Sequence, residues 1–585
     1  MCPDPHLPAT QDQAHSSHAS CSSMLFVFDS SPMHAITKSA SNWHKSLVCV
    51  PAVVLLLLLS TLPAQTIGPY RVAGTVVSST DGSPLSRARV TLQDVHNRQK
   101  EIFLVTGDDG RFMFSNLPAG KYSLQGAKRG YITAAYNQHE QFSTAIVTAP
   151  ELDTEHLTLR IPPAATLTGH VLDEAGDPVR RARVRLWFDD HSTGLSRTQR
   201  GRADLTDDQG FFEFTPLDSG TYFLSVAAQP WYAVHPPSTS SAESSSFGTP
   251  DRSLDVFYPV TFYAGATSLD DASPILLRAG DRTDLDLHLA PQPALHITLH
   301  ASPLEEGKPP SFPALTPQNR QDAALDGQQP NIQQTAPGVY EIVAAPGKYD
   351  VQLLSSNGSP TQTLSVDLDE NTHELDLSSA QAMSTIHATI RAPDETALPP
   401  RTEIALRAER GRLEAFSVVN ADNTVTFNNL RPGKYDVLAG SRDRAYTVVR
   451  MTVNNAPISG RSVTVSPGVS LELGLTLRGG AASVRGVTMR DGKPVSGAMV
   501  VLAPANPETH REWFRRDQSD FDGTFTLPSV LPGNYTVLAI DDGWDLDWSK
   551  PAILHRYLSH GQKLTVPDNV TAPLQLPAPL EIQSK

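Results

Sequence analysis

The run Thr206-Asp207-Asp208-Gln209-Gly210-Phe211-Phe212, followed by Leu217, Gly220 and Tyr222, decides the fold. Asp and Gly make a tight turn, and the apolar residues beyond it alternate, the period of a strand with one buried face. Gly220 marks a second turn. A Tyr placed just after such a turn can bury its ring and return its hydroxyl to nearby backbone. The same phrase stands at Thr106-Gly107-Asp108-Asp109-Gly110-Arg111-Phe112 with Leu117, Gly120 and Tyr122. It stands again at Ser519-Asp520-Phe521-Asp522-Gly523-Thr524-Phe525 with Val530, Gly533 and Tyr535. Counted from the first Gly, the offsets +7, +10 and +12 hold in all three copies. A fourth copy has Asn423 in place of Gly, ahead of Leu430, Gly433 and Tyr435. Asn is the residue that best replaces Gly at positive φ. A degenerate fifth ends Pro346-Gly347-Lys348-Tyr349.

Upstream of each clear copy lies a second repeated phrase, Gly-x-Val and then Gly-x-Pro-aliphatic-x-x-Ala-x-Val-x-Leu. It is carried by Gly74, Val76, Gly82, Pro84, Leu85, Ala88, Val90 and Leu92, and again by Gly169, Val171, Gly176, Pro178, Val179, Ala182, Val184 and Leu186. The last copy is Gly486, Gly492, Pro494, Val495, Ala498, Val500 and Leu502. Each unit closes on an alternating strand: Leu157-Leu159-Ile161, Leu285-Leu287-Leu289, Leu473-Leu475-Leu477 or Leu574-Leu576. Seven or so short strands in about 100 residues predict a small β-sandwich. Units of this size are separate beads, each with its own core.

The composition agrees. The 585 residues predict about three to six domains, and Pro 47 with Gly 37 marks a chain cut by turns. Lys+Arg 47 against Asp+Glu 62 leaves a net charge of −15. That excludes a nucleic-acid partner, which needs clustered Lys and Arg, and the overall pattern excludes a coiled coil or a membrane channel.

Leu47 to Leu59 is an unbroken apolar run, too short to span a bilayer comfortably but suited to the h-region of a secretory signal. Lys38, His44 and Lys45 supply the basic flank, and Leu62-Pro63-Ala64 before Gln65 resembles a cleavage site. Met33 is an alternative start. An uncleaved anchor over residues 47–62 is the competing expectation, and would be the chain's one contact with a membrane. Cys2, Cys21 and Cys49 are the only cysteines. A mature chain would hold no thiol, and so neither a disulfide nor a thiolate metal site.

The domain expectation is therefore a disordered leader and signal peptide over 1–65, then β-sandwiches at 66–162, 163–292, 293–380, 381–478 and 479–585, the third and fourth degenerate. The Ser-rich stretch 238–246 and the Pro- and Gln-rich stretch 308–337 read as loops. Ser549-Lys550-Pro551, leading to Ile553, Leu554, Tyr557 and Leu558, predicts one helix with a Ser cap.

The two repeated phrases together resemble the carboxypeptidase regulatory-like domain, whose family has a prealbumin-like (transthyretin-like) β-sandwich grouped with carbohydrate-binding-like folds. Three units carry the pattern well and two partly. The stretch Phe257-Tyr258-Pro259, Phe262-Tyr263, Ser273-Pro274-Ile275 and Ala279-Gly280 resembles multi-domain exported proteins of soil bacteria such as acidobacteria. The resemblance implies an all-β tandem array. Its motifs are structural, so they speak for fold more than for function.

The family name invites a peptidase reading, which the residues do not support. No His is followed by Glu three residues on; His139-Glu140 and His373-Glu374 are adjacent pairs, the wrong spacing for a zinc carboxypeptidase. Neither the zincin nor the serine-hydrolase signature occurs, so the expectation is a non-enzyme. Asp108, Asp109, Asp207, Asp208, Asp520 and Asp522 recur at one turn and could hold calcium, the single cofactor weighed; the alternative is that each Asp caps its own turn. The segment Asp541-Asp542-Gly543-Trp544-Asp545-Leu546-Asp547-Trp548 offers a ligand site, with Trp544 and Trp548 stacking on sugar rings while Asp541 and Asp542 bond hydroxyls. Against it stands a packing role, with the rings covering the end of the sandwich and the short helix. Trp231-Tyr232 holds a similar place in the second unit. Three functions compete: an exported binding protein for a polysaccharide or cell-envelope component, a structural spacer in which the beads supply reach, and an enzyme of unknown type.

Overall fold

A computed structural model describes residues 68–585 except 193, 195, 236–250, 302–311, 318–329, 393–397, 400, 409–412, 442–445, 481, 509, 569 and 571. The leader, its apolar run and the Ser-rich stretch 238–246 fall outside the described residues. Among the described residues, no helix is long and apolar enough to cross a membrane.

The chain is an all-β array of small sandwiches. In the first, a sheet of Arg111–Leu117, Tyr70–Ser78 and Leu157–Ile161 faces a sheet of Glu101–Val105, Arg89–Asp94 and Gly120–Ala127. Val72, Val76 and Leu159 from one sheet and Val90, Leu92 and Leu124 from the other fill the space between them. Four further clusters of the same kind lie between strands drawn from 165–288, 295–382, 384–479 and 482–583. In every unit the closing strand lies parallel to the first, as Leu157–Ile161 does to Tyr70–Ser78; the other neighbouring strands are antiparallel except in the fifth unit, where Leu580–Gln583 also runs parallel to Gly533–Ile540. Gly74 and Gly169 sit on this parallel seam, where a Cβ would run into the carbonyl of Leu157 or Leu285.

The repeated phrases act as local clips. Gly110, Gly210 and Gly523 take φ of 70°, 72° and 75°, and Asn423 takes 60° at the same turn. The hydroxyl of Tyr122, Tyr222, Tyr349, Tyr435 and Tyr535 donates in each case to the carbonyl four residues back, at 2.7–3.0 Å. The residue opening the turn phrase has a role that its spacing alone did not announce. Thr106 donates to the Leu85 carbonyl at 2.7 Å and accepts from the Ala88 amide at 2.9 Å, so it ties the Gly-x-Pro turn to the Asp-Gly turn. Thr206 and Ser519 repeat this tie.

Two local expectations are corrected. The stretch 308–337 is not one long loop: Phe312–Pro317 and Asn331–Ala336 are strands. Both are sheet edges, where Pro313 and Pro317 need give up no ladder bond on the open side. The helix forms at Pro551–Leu558, but Lys550 is its N-cap and no side chain caps it. The Ser549 hydroxyl donates instead to the Gly194 carbonyl of the second sandwich at 2.8 Å.

Each sandwich is tied to the next. The Ala164 amide donates to the Gly130 carbonyl at 3.0 Å, joining first and second. His296 bridges Asp255 at 2.5 Å and Glu341 at 2.9 Å, joining second and third. Arg431 of the fourth pairs with Asp350 of the third, whose side chain is 1% exposed. Arg478 of the fourth meets Asp568 of the fifth at 2.7 Å. The fifth then packs on the first and second, so the sequence of contacts closes on itself.

Candidate functional site

An assembly of polar and aromatic side chains from several units lies at this closure, and its centre is Arg516. The strand Arg515–Gln518 is the edge of its sheet, and alternation turns Arg516 and Gln518 to one side. The Arg516 side chain is 3% exposed. Its two terminal nitrogens meet the Glu140 carboxylate of the first sandwich at 3.2 and 2.5 Å, and one also reaches the Ser192 carbonyl of the second at 3.0 Å. The guanidinium carbon lies 4.6 Å from the Trp548 ring centroid, 5.1 Å from that of Phe142 and 5.8 Å from that of Trp544. A delocalised, weakly hydrated cation is suited to such a place, because ring faces and a bidentate carboxylate together replace its water.

Around Arg516 the contacts are specific. His139 stacks on Trp544 with centroids 4.9 Å apart and planes 4° from parallel. Gln518 donates to the Asn137 carbonyl at 2.6 Å and to the Thr144 hydroxyl at 2.9 Å. Asp520 accepts from the Ala145 amide at 3.0 Å and pairs with Lys121, while the Phe521 amide donates to the Ala145 carbonyl at 3.0 Å. On the second sandwich, Gly194 lies against Trp548 so closely that a Cβ would come within 2.5 Å of the ring. The Ser196 amide donates to Asp547 at 2.8 Å. Burial pushes the Asp520 carboxyl up, against the pull of Lys121. Burial likewise raises Asp517 to about 6, although the Thr526 and Gln518 amides bond it. Asp547 is held below the usual carboxylate range, first by its hydrogen bond from Lys550.

The four residues expected to form a ligand site are therefore placed as follows. Trp544 and Trp548 are 7% and 5% exposed, in a cluster with Phe514, Leu554 and Tyr557. The open stacking platform expected of them is not formed, because the first and second sandwiches cover both rings. Asp541 is turned to Arg490 at 2.6 Å, and Asp542 is exposed at φ 46°. The structure brings the two rings into one cluster and leaves these carboxylates outside it. Trp231, by contrast, is 88% exposed and stands edge-on to Tyr232, whose hydroxyl donates to Glu174.

At the recurring Asp turns the carboxylates bond backbone. Asp109 accepts from the Arg111 amide at 3.1 Å, Asp207 from Gln209 and Phe211 at 2.9 Å, and Asp522 from Thr524 at 3.0 Å. Among the described residues, no group of three or more His, Cys, Asp or Glu is placed to hold a metal ion.

Sequence reasoning missed Arg516, Gln518, Glu140 and Lys121 as partners. His139-Glu140 came to notice as a zinc pair of the wrong spacing, whereas its two members grip Trp544 and Arg516. The available signal was Arg515-Arg516-Asp517-Gln518 itself, a wholly polar strand where the first sandwich has Glu101-Ile102-Phe103-Leu104-Val105.

Among curated proteins no relative matches the chain. Solved structures that resemble it include the TIE protein of Bacillus anthracis, at 10% identity over 73% of this chain and 77% of that one, with a TM-score of 0.17. The minor pilin GBS52 of Streptococcus agalactiae is similar at 11% identity over 38% of this chain and 97% of its own, with a TM-score of 0.21. BcpA, the major pilin subunit of Bacillus cereus, is similar at 9% identity over 70% and 99%, with a TM-score of 0.14. Residues 71–158, the first sandwich, match the model of the carboxypeptidase regulatory-like domain family.

Proposed function

We propose that this is an exported, non-catalytic protein whose five sandwiches are held in a closed array, presenting fixed surfaces to a polysaccharide or another cell-envelope component. The observation that carries the reading is the burial of Arg516 among side chains of the first and fifth units and against the Ser192 carbonyl of the second. A bead string built for reach has no use for a bidentate ion pair between residues 140 and 516 whose guanidinium is buried. Desolvating such a pair is costly unless it fixes one arrangement, so its presence favours a rigid frame over the spacer. Export is supported by the apolar run Leu47–Leu59 with its basic flank, and by the lack of cysteine beyond Cys49. The non-catalytic part is supported by the regulatory-like domain match.

Small-angle scattering of residues 66–585 tests the frame. A compact chain of this length has a radius of gyration near 24 Å; a closed array lies modestly above that, and an extended string of beads lies far above it. Scattering that fits the extended string would overturn the reading.

A further inference from the structure

The fourth sandwich carries a polar groove that the closure does not use. Its floor is the strand Ser470–Gly479, flanked by Ser384–Arg391 on one side and Tyr446–Val453 on the other. The register sets three strands in rows. Arg391, Thr476 and Arg450 lie side by side in one row, and Thr389, Gly474 and Thr452 in the next. Successive side chains alternate between faces, so residues two apart on each strand share the solvent face. Gly474 leaves the middle of the second row without a side chain, and a Cβ there would overlap the Thr452 hydroxyl. The result is a groove of about 350 Å³, with Glu472 and Asn455 also in its lining.

Two features of this groove bear on what it can hold. Arg391 and Arg450 are both exposed, and neither has an ion-pair partner among the described residues. Arg431, Arg478, Arg490 and Arg516, by contrast, are each held by a carboxylate. Moreover, the lining contains no aromatic ring. A neutral sugar would find hydroxyl and amide partners here but no stacking face, the usual source of affinity for uncharged rings. An anion would find two guanidinium forks spaced by two strands, about 10 Å apart at the backbone, with threonine hydroxyls between them.

We propose that this groove binds an acidic polysaccharide, with Arg391 and Arg450 each taking a carboxylate and Thr389, Thr452, Asn455 and Glu472 bonding sugar hydroxyls. Guanidinium matches a carboxylate bidentately. Glu472 at one end offers an acceptor for the sugar hydroxyls that stand between the carboxylates. Against a net charge of −15, a polyanion is held only where cations stand locally unpaired. The proposal goes beyond the closed-array reading and does not need it, since the groove lies wholly within one sandwich.

The test is titration calorimetry of polygalacturonate into the full-length chain, with neutral dextran as the comparison. The variants are Arg391→Gln/Arg450→Gln and, as a control for net charge alone, the exposed pair Arg98→Gln/Arg556→Gln. Expected are saturable, salt-sensitive binding of polygalacturonate and none of dextran, a loss of roughly tenfold or more in the groove variant, and little change in the control. Near-ultraviolet circular dichroism checks that each variant is folded. The proposal is overturned if polygalacturonate does not bind, if dextran binds as well, or if the groove variant binds no worse than the control. The scattering experiment reads the array independently, so failure of either idea is seen separately.

Discussion

Replacing Arg516 by Ala is the sharpest perturbation of the closure. The side chain is 3% exposed, makes two contacts with Glu140 and one with the Ser192 carbonyl, and lies over three rings. Arg516 is buried but Glu140 keeps 21% of its side chain in water, so losing the pair costs about 1–3 kcal/mol, the range of hydrogen bonds to charged groups. Each sandwich has its own core, so this loss falls on the junction and not on the folding of any one unit. At about 1.4 kcal/mol per factor of ten, the open state gains roughly fivefold to a hundredfold. Hydrogen exchange reads this directly at two amides that bond across the junction, Ala145 to Asp520 and Phe521 to the Ala145 carbonyl. Their protection should fall by that factor, while Val437, inside the fourth sandwich, keeps its own. Arg516→Lys should fall between, retaining charge but not the planar fork. Unchanged protection at Ala145 and Phe521 in a folded Arg516→Ala protein would refute the reasoning.

The remaining expectations concern the repeated clips and one carboxyl. Tyr535→Phe strips the buried Leu531 carbonyl of its donor and should cost about 1–3 kcal/mol in denaturant unfolding; no change would mean that the ring alone matters. Gly523→Ala places a Cβ 2.8 Å from the Thr488 carbonyl at φ 75° and should cost about 1–2 kcal/mol or more. Asn423→Gly should be nearly neutral, since the same turn already tolerates Asn at φ 60°; equal losses at the two positions would count against a shared turn geometry. Asp517 titrates in the folded chain at about 6, raised by burial. Protonation then stabilises the folded state fully below its unfolded midpoint of about 3.9, and that stabilisation is lost as pH rises through 6, by up to about 3 kcal/mol. Wild type should therefore lose stability relative to the non-titrating Asp517→Asn between pH 4 and pH 7, and a pH-independent difference would contradict the shift.

The sandwich was legible because its signals are local. Gly210 and Tyr222 lie twelve residues apart, and the turn and hydroxyl bond they make involve only their near neighbours, so spacing alone exposes them. Phe312–Pro317 was read as loop because an edge strand tolerates the Pro residues that elsewhere forbid one. The junction was not legible, for a different reason. Arg516 and Glu140 are 376 positions apart, and no periodicity links them. Trp544 and Trp548 stood out as an aromatic and acidic cluster, but whether such rings are open or covered is set by whichever unit packs on them. Ser549 shows the same on a small scale: its sequence position predicts a helix cap, and a carbonyl from another sandwich takes its hydroxyl instead.

The closed array is the central claim, and zero-length carbodiimide coupling tests it most directly. The Lys121 ammonium contacts the Asp520 carboxylate, a pair 399 positions apart in the chain. The account predicts a Lys121–Asp520 cross-linked peptide from the monomeric fraction, alongside the sequence-local Lys550–Asp547 pair as an internal control. Recovery of the local pair without any Lys121–Asp520 peptide would contradict it, and the five sandwiches would then have to be understood as an open chain.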